Sequence, residues 1–129
     1  MNAVEMEKSA LNNFKIEIEQ IESTPVKVVY LFGKITSQNS YAINHRIRNI
    51  FDDKCYDTIL NISEVEYLDS KGVAMLLTLA RVIEDNGGRL IVTKPSIFVK
   101  ELLELTNLQS YFKIVEDLAE ARKKFQTPA

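Results

Sequence analysis

The most constraining stretch of this sequence is a buried-strand pattern that leads into an amphipathic helix through a short polar turn. Residues 58–63 are apolar enough for a buried strand, and the chain after Gly72 has helical spacing. Between them stand Asp69 and Ser70, whose side-chain oxygens can accept the unpaired backbone N–H groups of a first helical turn. That helix end also carries the positive pole of the dipole, so it could hold an anion, including a phosphate on Ser70 itself. The expected apolar face of the helix comprises Val73, Leu76, Leu77, Ala80 and Ile83.

The composition predicts a globular domain and does not favour binding to membranes or to nucleic acid. At 129 residues, 46% hydrophobic and 26% charged, the chain is long enough to bury one core. A net charge of -2 supplies no broad basic field, which favours a protein or small-molecule partner over nucleic acid. No apolar run approaches the roughly 18 residues of a membrane helix, and the N-terminus lacks a basic-then-apolar signal pattern. We therefore expect a cytoplasmic protein without membrane insertion.

Residues that could carry catalysis or hold a cofactor are sparse. Cys55 is the only cysteine, so no internal disulfide and no cysteine metal cluster is expected. The only histidine, His45, lies on a charged stretch that predicts solvent exposure. A serine hydrolase that uses Ser70 is disfavoured, because the sequence has no Gly-x-Ser-x-Gly motif and no reason to bring His45 to Ser70. We expect a protein that is not an enzyme and has no metal or cofactor.

The sequence of the first half of the chain predicts a flexible segment, two paired strands and a helix. Residues 1–13 follow no useful period and are expected to be flexible. Residues 14–19 and 26–32 predict two neighbouring strands near a sheet edge, with Gly33 ending the second. A stretch of polar residues, 36–40, then precedes a predicted helix. The apolar face of that helix comprises Ile43, Ile47, Ile50 and Phe51.

The second half alternates strands and helices. The central helix should stop at 86–88, where glycine supplies left-handed backbone, and a strand follows at 89–93. Pro95 suits the first turn of a further helix that ends near Asn107, and a last strand and helix follow at 112–115 and 117–125. This order predicts one α/β domain over residues 14–126, with a mixed sheet of about five strands covered by about four helices.

The order of motifs from Val28 to Phe125 resembles the STAS family, the domain of anti-sigma factor antagonists and of sulphate-transporter tails. The most specific of these motifs is the Asp-Ser-x-Gly turn, Asp69 to Gly72, in the context of the strand before it. The other matching segments are Gly33, residues 59–63, residues 65–68, Gly87-Gly88-Arg89-Leu90 and residues 102–108.

The resemblance implies a regulatory cycle. In the antagonists that this chain is similar to, the serine after the motif aspartate is phosphorylated by a partner that is both anti-sigma factor and serine kinase. By position that acceptor is Ser70, and the aspartate is Asp69. The unphosphorylated form would bind the anti-sigma factor kinase and free a sigma factor, and the phosphorylated form would release the kinase. The protein would thereby regulate transcription. A serine phosphatase is a further expected partner.

The expected partner-binding surface surrounds this turn. It comprises Asp69, Ser70, Lys71, Gly72, Met75, Ser37 and Asn39. Met75 enters it because Met75, Leu79 and Val82 form a second apolar stripe on the central helix. Structural alternatives remain for these residues. Ser70 and Asp69 could be plain helix caps, the stripe could pack against a neighbouring helix, and Ser37, Asn39 and Ser40 could be cap and turn residues.

Two departures from the family pattern leave a second function open. Lys71 stands where many members have Ser or Thr, and Thr36 stands where many have an acidic residue. The alternative is a non-enzymatic scaffold subunit, similar to the STAS proteins associated with lipid-transporting ABC complexes, in which docking needs no phosphorylation. The partner separates the two functions, because it would be a transporter ATPase instead of a kinase.

Overall fold

The centre of the protein is a mixed five-stranded sheet with the strand order β1-β2-β3-β4-β5. The computed structural model describes residues 14–126. The strands are β1 (Phe14–Gln20), β2 (Lys27–Ile35), β3 (Thr58–Leu68), β4 (Leu90–Thr93) and β5 (Lys113–Val115). β1 is antiparallel to β2, and β2 to β5 are parallel. The predicted mixed sheet is confirmed, while the flexible segment predicted at residues 1–13 lies outside the described residues.

Helices cover both faces of the sheet. They are α1 (Ser40–Asn49), α2 (Ser70–Asp85), α3 (Ile97–Leu105) and α4 (Leu118–Gln126), with 3-10 turns at Ile50–Asp53 and Gln109–Tyr111. Side chains of α1, α2 and α3 share a core with Val29 and Leu60, whereas α4 packs with Val28 and Ile59 on the opposite face. Neighbouring strand residues point to opposite faces, so these sets lie on two sides of one sheet. In residues 14–126 no helix is long and apolar enough to cross a membrane.

Strands β2 and β3 both run farther than the sequence pattern predicts. The prediction that Gly33 ends β2 is wrong, because the strand continues to Ile35 past an irregular register, with Gly33 at a φ of 95°. β3 continues to Leu68, which pairs with Ile35. Its buried residues Ile62, Val65 and Leu68 are three positions apart. The bulges shift the alternation of side chains, so the period of two is lost there.

Helix α3 begins later than predicted. Pro95 precedes the helix, and Ser96 is its N-cap. The Ser96 hydroxyl accepts the backbone N–H of Val99 at 3.3 Å and donates to the carbonyl oxygen of Val65 at 2.6 Å. This side chain therefore caps α3 and ties its start to strand β3. The prediction that this helix ends near Asn107 is confirmed, since α3 ends at Leu105 and Asn107 has a left-handed φ of 57°.

Candidate functional site

The candidate site lies where β2 and β3 end side by side. Ile35 and Leu68 are paired at the carboxyl ends of these parallel strands. The loop 36–39 therefore leaves the sheet next to the turn that starts α2. Carboxyl ends of parallel strands are where α/β proteins place their functional loops. The predicted proximity of this loop to the Ser70 turn is confirmed.

Asp69 connects the two segments. It is the N-cap of α2, and one of its carboxylate oxygens, Oδ1, accepts the backbone N–H of Gly72 at 2.9 Å. The other, Oδ2, accepts the backbone N–H of Ser37 at 2.8 Å. Its own backbone N–H donates to the carbonyl oxygen of Ile35 at 3.2 Å. One side chain thus holds the helix head against the preceding loop and the end of β2.

The Asp69 carboxylate is a stable anion at neutral pH. Desolvation by burial raises its pKa, but backbone N–H donors lower it by a larger total amount, so the pKa lies below its ordinary value. These donors are the N–H groups of Gly72, Ser37, Lys71 and Asp69 itself. The head of α2 therefore already holds a negative charge that belongs to the protein.

Ser70 is the first residue of the helix and not its cap. Asp69 occupies the N-cap position, so the alternative in which Ser70 serves as the N-cap is wrong. Ser70 and Lys71 are both exposed. The short carboxylate of Asp69 takes the capping role because it reaches the N–H of Gly72 from the extended backbone of the turn. Ser70 is therefore left as an exposed residue of the first helical turn.

Asn39 shapes the loop from inside and is not available to a partner. Its side chain is 3% exposed. The side-chain Oδ1 accepts the N–H of Thr36 at 2.9 Å, and the Nδ2 donates to the carbonyl oxygen of Lys34 at 2.8 Å. The expected rim contact by Asn39 is therefore corrected to a turn role, whereas Ser37 is exposed. Ser40 begins helix α1.

Gly72 and Met75 also lie below the surface. A Cβ on Gly72 would stand 2.6 Å from the carbonyl oxygen of Ile35 and 3.1 Å from Leu68 Cδ2, so glycine allows α2 to approach β2. Met75 is 6% exposed and belongs to the core. The expectation that Gly72 and Met75 contact a partner is therefore corrected: Gly72 serves the close approach of α2 to β2, and Met75 serves core packing. The buried face of α2 is rotated relative to the predicted one and comprises Gly72, Met75, Leu76, Leu79, Ala80 and Ile83.

An aromatic pair that the sequence pattern does not predict lies beside the turn. Tyr67 on β3 and Phe98 on α3 have ring centroids 5.4 Å apart. They are 42% and 39% exposed, and neighbouring Ile97 is 78% exposed. A tyrosine two positions before the turn was the available signal. Its partner on α3 is distant in sequence and becomes visible only in the folded chain.

His45 lies outside the group of residues that Asp69 brings together. Its ring stacks on Tyr41, with centroids 6.4 Å apart, and both side chains are exposed on α1. In the part of the chain that the structure describes, no group of three or more His, Cys, Asp or Glu could hold a metal ion.

The sequence and the fold have counterparts in known proteins. The profile of the STAS domain matches residues 15–121. A candidate anti-sigma factor antagonist of Thermotoga maritima is 27% identical over 92 residues, which cover 70% of this chain and 81% of that relative.

Among solved structures, the anti-sigma factor antagonist SpoIIAA in its unphosphorylated form has a TM-score of 0.72 at 22% identity, covering 89% of this chain and 99% of that one. Phosphorylated SpoIIAA from Bacillus has a TM-score of 0.65 at 23% identity, covering 86% and 99%. These two similarities establish the fold. With a family match over most of its length, the chain belongs to the STAS domain family.

Proposed function

We propose that this protein is an anti-sigma factor antagonist that regulates transcription by partner switching controlled by phosphorylation of Ser70. Its unphosphorylated form binds an anti-sigma factor that is also a serine kinase, and its phosphorylated form releases it. The observation that carries this proposal is the exposed Ser70 hydroxyl directly after the N-cap Asp69. The phosphorylated and unphosphorylated states of its structural relative SpoIIAA support the same role.

The surroundings of Ser70 suit a reversible charge. Its hydroxyl takes part in no hydrogen bond within residues 14–126, so a phosphate would replace no structural contact. Phosphorylation adds about −1.5 to −2 charge at pH 7. The nearby donors of Gly72 and Ser37 already bind Asp69, so the phosphate would point outward, toward a bound partner.

The same charge would be costly in a complex. A phosphate beside the Asp69 carboxylate would lose water when a partner covered it, and nearby acidic groups of the partner would repel it. Each factor of ten in affinity requires only about 1.4 kcal/mol. Phosphorylation of one side chain can therefore dissociate the complex while the fold stays intact. The exposed ammonium group of Lys71 would partly offset the cost of placing the phosphate in the complex. Lys71 would therefore help to determine which partner this protein binds.

A second candidate function is a STAS scaffold subunit of a lipid-transport ABC complex. Lys71 at a position where many family members have Ser or Thr favours it. Such a scaffold would dock through the same exposed residues of the turn, but its binding would be indifferent to the state of Ser70. In both candidates the protein acts as a cytoplasmic binding module and not as an enzyme.

Affinity capture with three baits distinguishes these functions. Wild-type protein, Ser70→Ala and Ser70→Asp would each be immobilised and exposed to the cytosol of the source organism, and the captured proteins identified by mass spectrometry. We expect the first two to hold a kinase-type ATPase and the third to lose it. A further bait, the protein phosphorylated on Ser70, is expected to capture a serine phosphatase. Capture of transporter subunits by all three baits would instead support the scaffold.

A further inference from the structure

The accessible part of the Ser70 surface has no apolar centre of its own. Protein interfaces combine a buried apolar centre, rich in aromatic residues, with a polar rim. The exposed residues that Asp69 brings together, Ser37, Ser70 and Lys71, are all polar. Met75, the one apolar residue expected to serve a partner, is in the core. No large apolar side chain is exposed in residues 69–77, so a large apolar centre would have to come from side chains beside the turn.

Tyr67, Ile97 and Phe98 supply such side chains, and we call them the aromatic patch. Their exposed fractions of 42%, 78% and 39% are high for large apolar residues, and the rings of Tyr67 and Phe98 are in contact. The contacting rings of Tyr67 and Phe98, with Ile97 next to Phe98 in the chain, form a group of exposed apolar side chains. Such groups mark interaction sites, whereas single exposed apolar side chains need no explanation. The exposed Leu105 lies at the opposite end of α3 and is separate from the patch.

The patch is held at a fixed place beside the turn. Tyr67 stands three positions before Ser70, a distance that an extended chain covers in at most about 11 Å. The start of α3 is tied to β3 by the hydrogen bond from the Ser96 hydroxyl to the carbonyl oxygen of Val65, at 2.6 Å. A rigid, pre-positioned apolar group loses little conformational entropy on binding.

The size of an ordinary interface connects the patch to Ser70. A specific interface covers about 800 Å² on each partner, which corresponds to a disc of about 16 Å radius. A partner that covers Ser70 would therefore also reach Tyr67 and the Phe98 ring packed on it. Tyr41 on α1 is also exposed, but its ring stacks on the polar His45 and is not part of an apolar group.

We propose that the aromatic patch is the apolar centre of the surface that binds the anti-sigma factor kinase, with Ser70 at its rim. This inference rests on the proposed function. The patch provides affinity in both phosphorylation states of Ser70. The charge on Ser70 decides whether that affinity is enough to hold the kinase. The partner should accordingly present apolar side chains next to its own active site, where Ser70 is phosphorylated.

The test is a calorimetric titration of the purified anti-sigma factor kinase of the source organism with variants of the full chain. The patch variants are Ile97→Gln and the double variant Ile97→Gln/Phe98→Gln. Leu105→Gln, on the last residue of the same helix, is the matched control, and Tyr41→Gln tests the face on α1. Glutamine is uncharged and compatible with helices, so neither the net charge nor the helix dipole changes. Thermal unfolding checks that each variant is folded.

We expect the double patch variant to weaken binding by at least about tenfold and Ile97→Gln by a smaller factor, as is typical of residues at an interface centre. Leu105→Gln and Tyr41→Gln should stay within about twofold of the wild type. Equal affinity of the patch variants and the wild type would overturn the inference while leaving the proposed function intact. A loss confined to Tyr41→Gln would also overturn it. No binding by the wild type would overturn both proposals.

Discussion

The Asp69 carboxylate accepts the backbone N–H of Ser37 at 2.8 Å while it caps helix α2 through Gly72 at 2.9 Å. A single anionic side chain therefore fixes both the residue that carries the proposed switch and the loop next to it. Phosphorylation would place a second anion beside this bond. The stability of the site and its response to a phosphate on Ser70 consequently both depend on the Asp69 carboxylate.

Removing the Asp69 side chain should destabilise the protein. Asp69→Ala deletes the N-cap and leaves the N–H groups of Gly72 and Ser37 without their acceptor, so we expect a loss of about 1–2 kcal/mol in the free energy of unfolding. Urea denaturation followed by circular dichroism measures it. Ser70→Ala is the control, because that exposed hydroxyl has no structural partner among the described residues, and its midpoint should match the wild type. Equal midpoints for Asp69→Ala and the wild type would contradict this account of the site.

The stabilising effect of Asp69 should be lost in acid. Its folded-state pKa lies below the ordinary value of 3.8, so between these two pKa values the unfolded chain binds more protons than the folded one. Stability from this group is therefore fully present above about pH 4 and decreases as the pH falls through the folded pKa. Asp69→Asn, which can still cap a helix, should show a smaller drop in urea midpoint between pH 6 and pH 3 than the wild type. Parallel curves for the two proteins would refute the prediction.

Gly72 should tolerate no larger residue. The Cβ of Gly72→Ala would stand 2.6 Å from the carbonyl oxygen of Ile35, and backbone cannot move aside as a flexible side chain can. We expect α2 to shift away from β2, with a destabilisation of about 1–3 kcal/mol. Thr78→Ala, an exposed position of the same helix, should be neutral or slightly stabilising in the same thermal unfolding experiment. An unchanged melting temperature for Gly72→Ala would show that the helix is not held this closely.

The ion pair between Lys27 and Asp53 should respond asymmetrically to mutation. The Lys27 side chain is 7% exposed and that of Asp53 is 46% exposed, with the ammonium nitrogen 2.8 Å from a carboxylate oxygen. Asp53→Ala would leave a buried ammonium group whose remaining hydrogen-bond acceptor among the described residues is the carbonyl oxygen of Cys55, whereas Lys27→Met would leave a carboxylate that water can solvate. We expect Asp53→Ala to lower the urea midpoint more than Lys27→Met. The reverse order would mean that burial of the lysine costs little.

The order of strands and helices could be predicted because most elements keep a regular apolar period. That period fails where the backbone is irregular, so the extension of β3 to Leu68 was missed: bulges move its buried residues three positions apart. The orientation of α2 was also missed. Apolar residues surround most of this helix, and only packing against the sheet and α1 decides that Met75 is buried while Leu77 is partly exposed.

The candidate site was predictable in part for a similar reason. Ser70 and Asp69 belong to one short segment, so a local motif could indicate them. The inward orientation of Asn39 and the contact between Tyr67 and Phe98 depend on segments that meet only in the folded chain. Local sequence could not distinguish the exposed residues of the loop from those that hold it together.

The most direct test of the central claim is the affinity of the anti-sigma factor kinase for this protein before and after phosphorylation of Ser70. Protein phosphorylated by that kinase, with the modified residue located by mass spectrometry, would be compared with unphosphorylated protein and with Ser70→Asp in one titration. We predict that both charged forms bind at least about tenfold more weakly, while their melting temperatures stay close to that of the wild type. Equal affinity of the phosphorylated and unphosphorylated forms would contradict partner switching through Ser70.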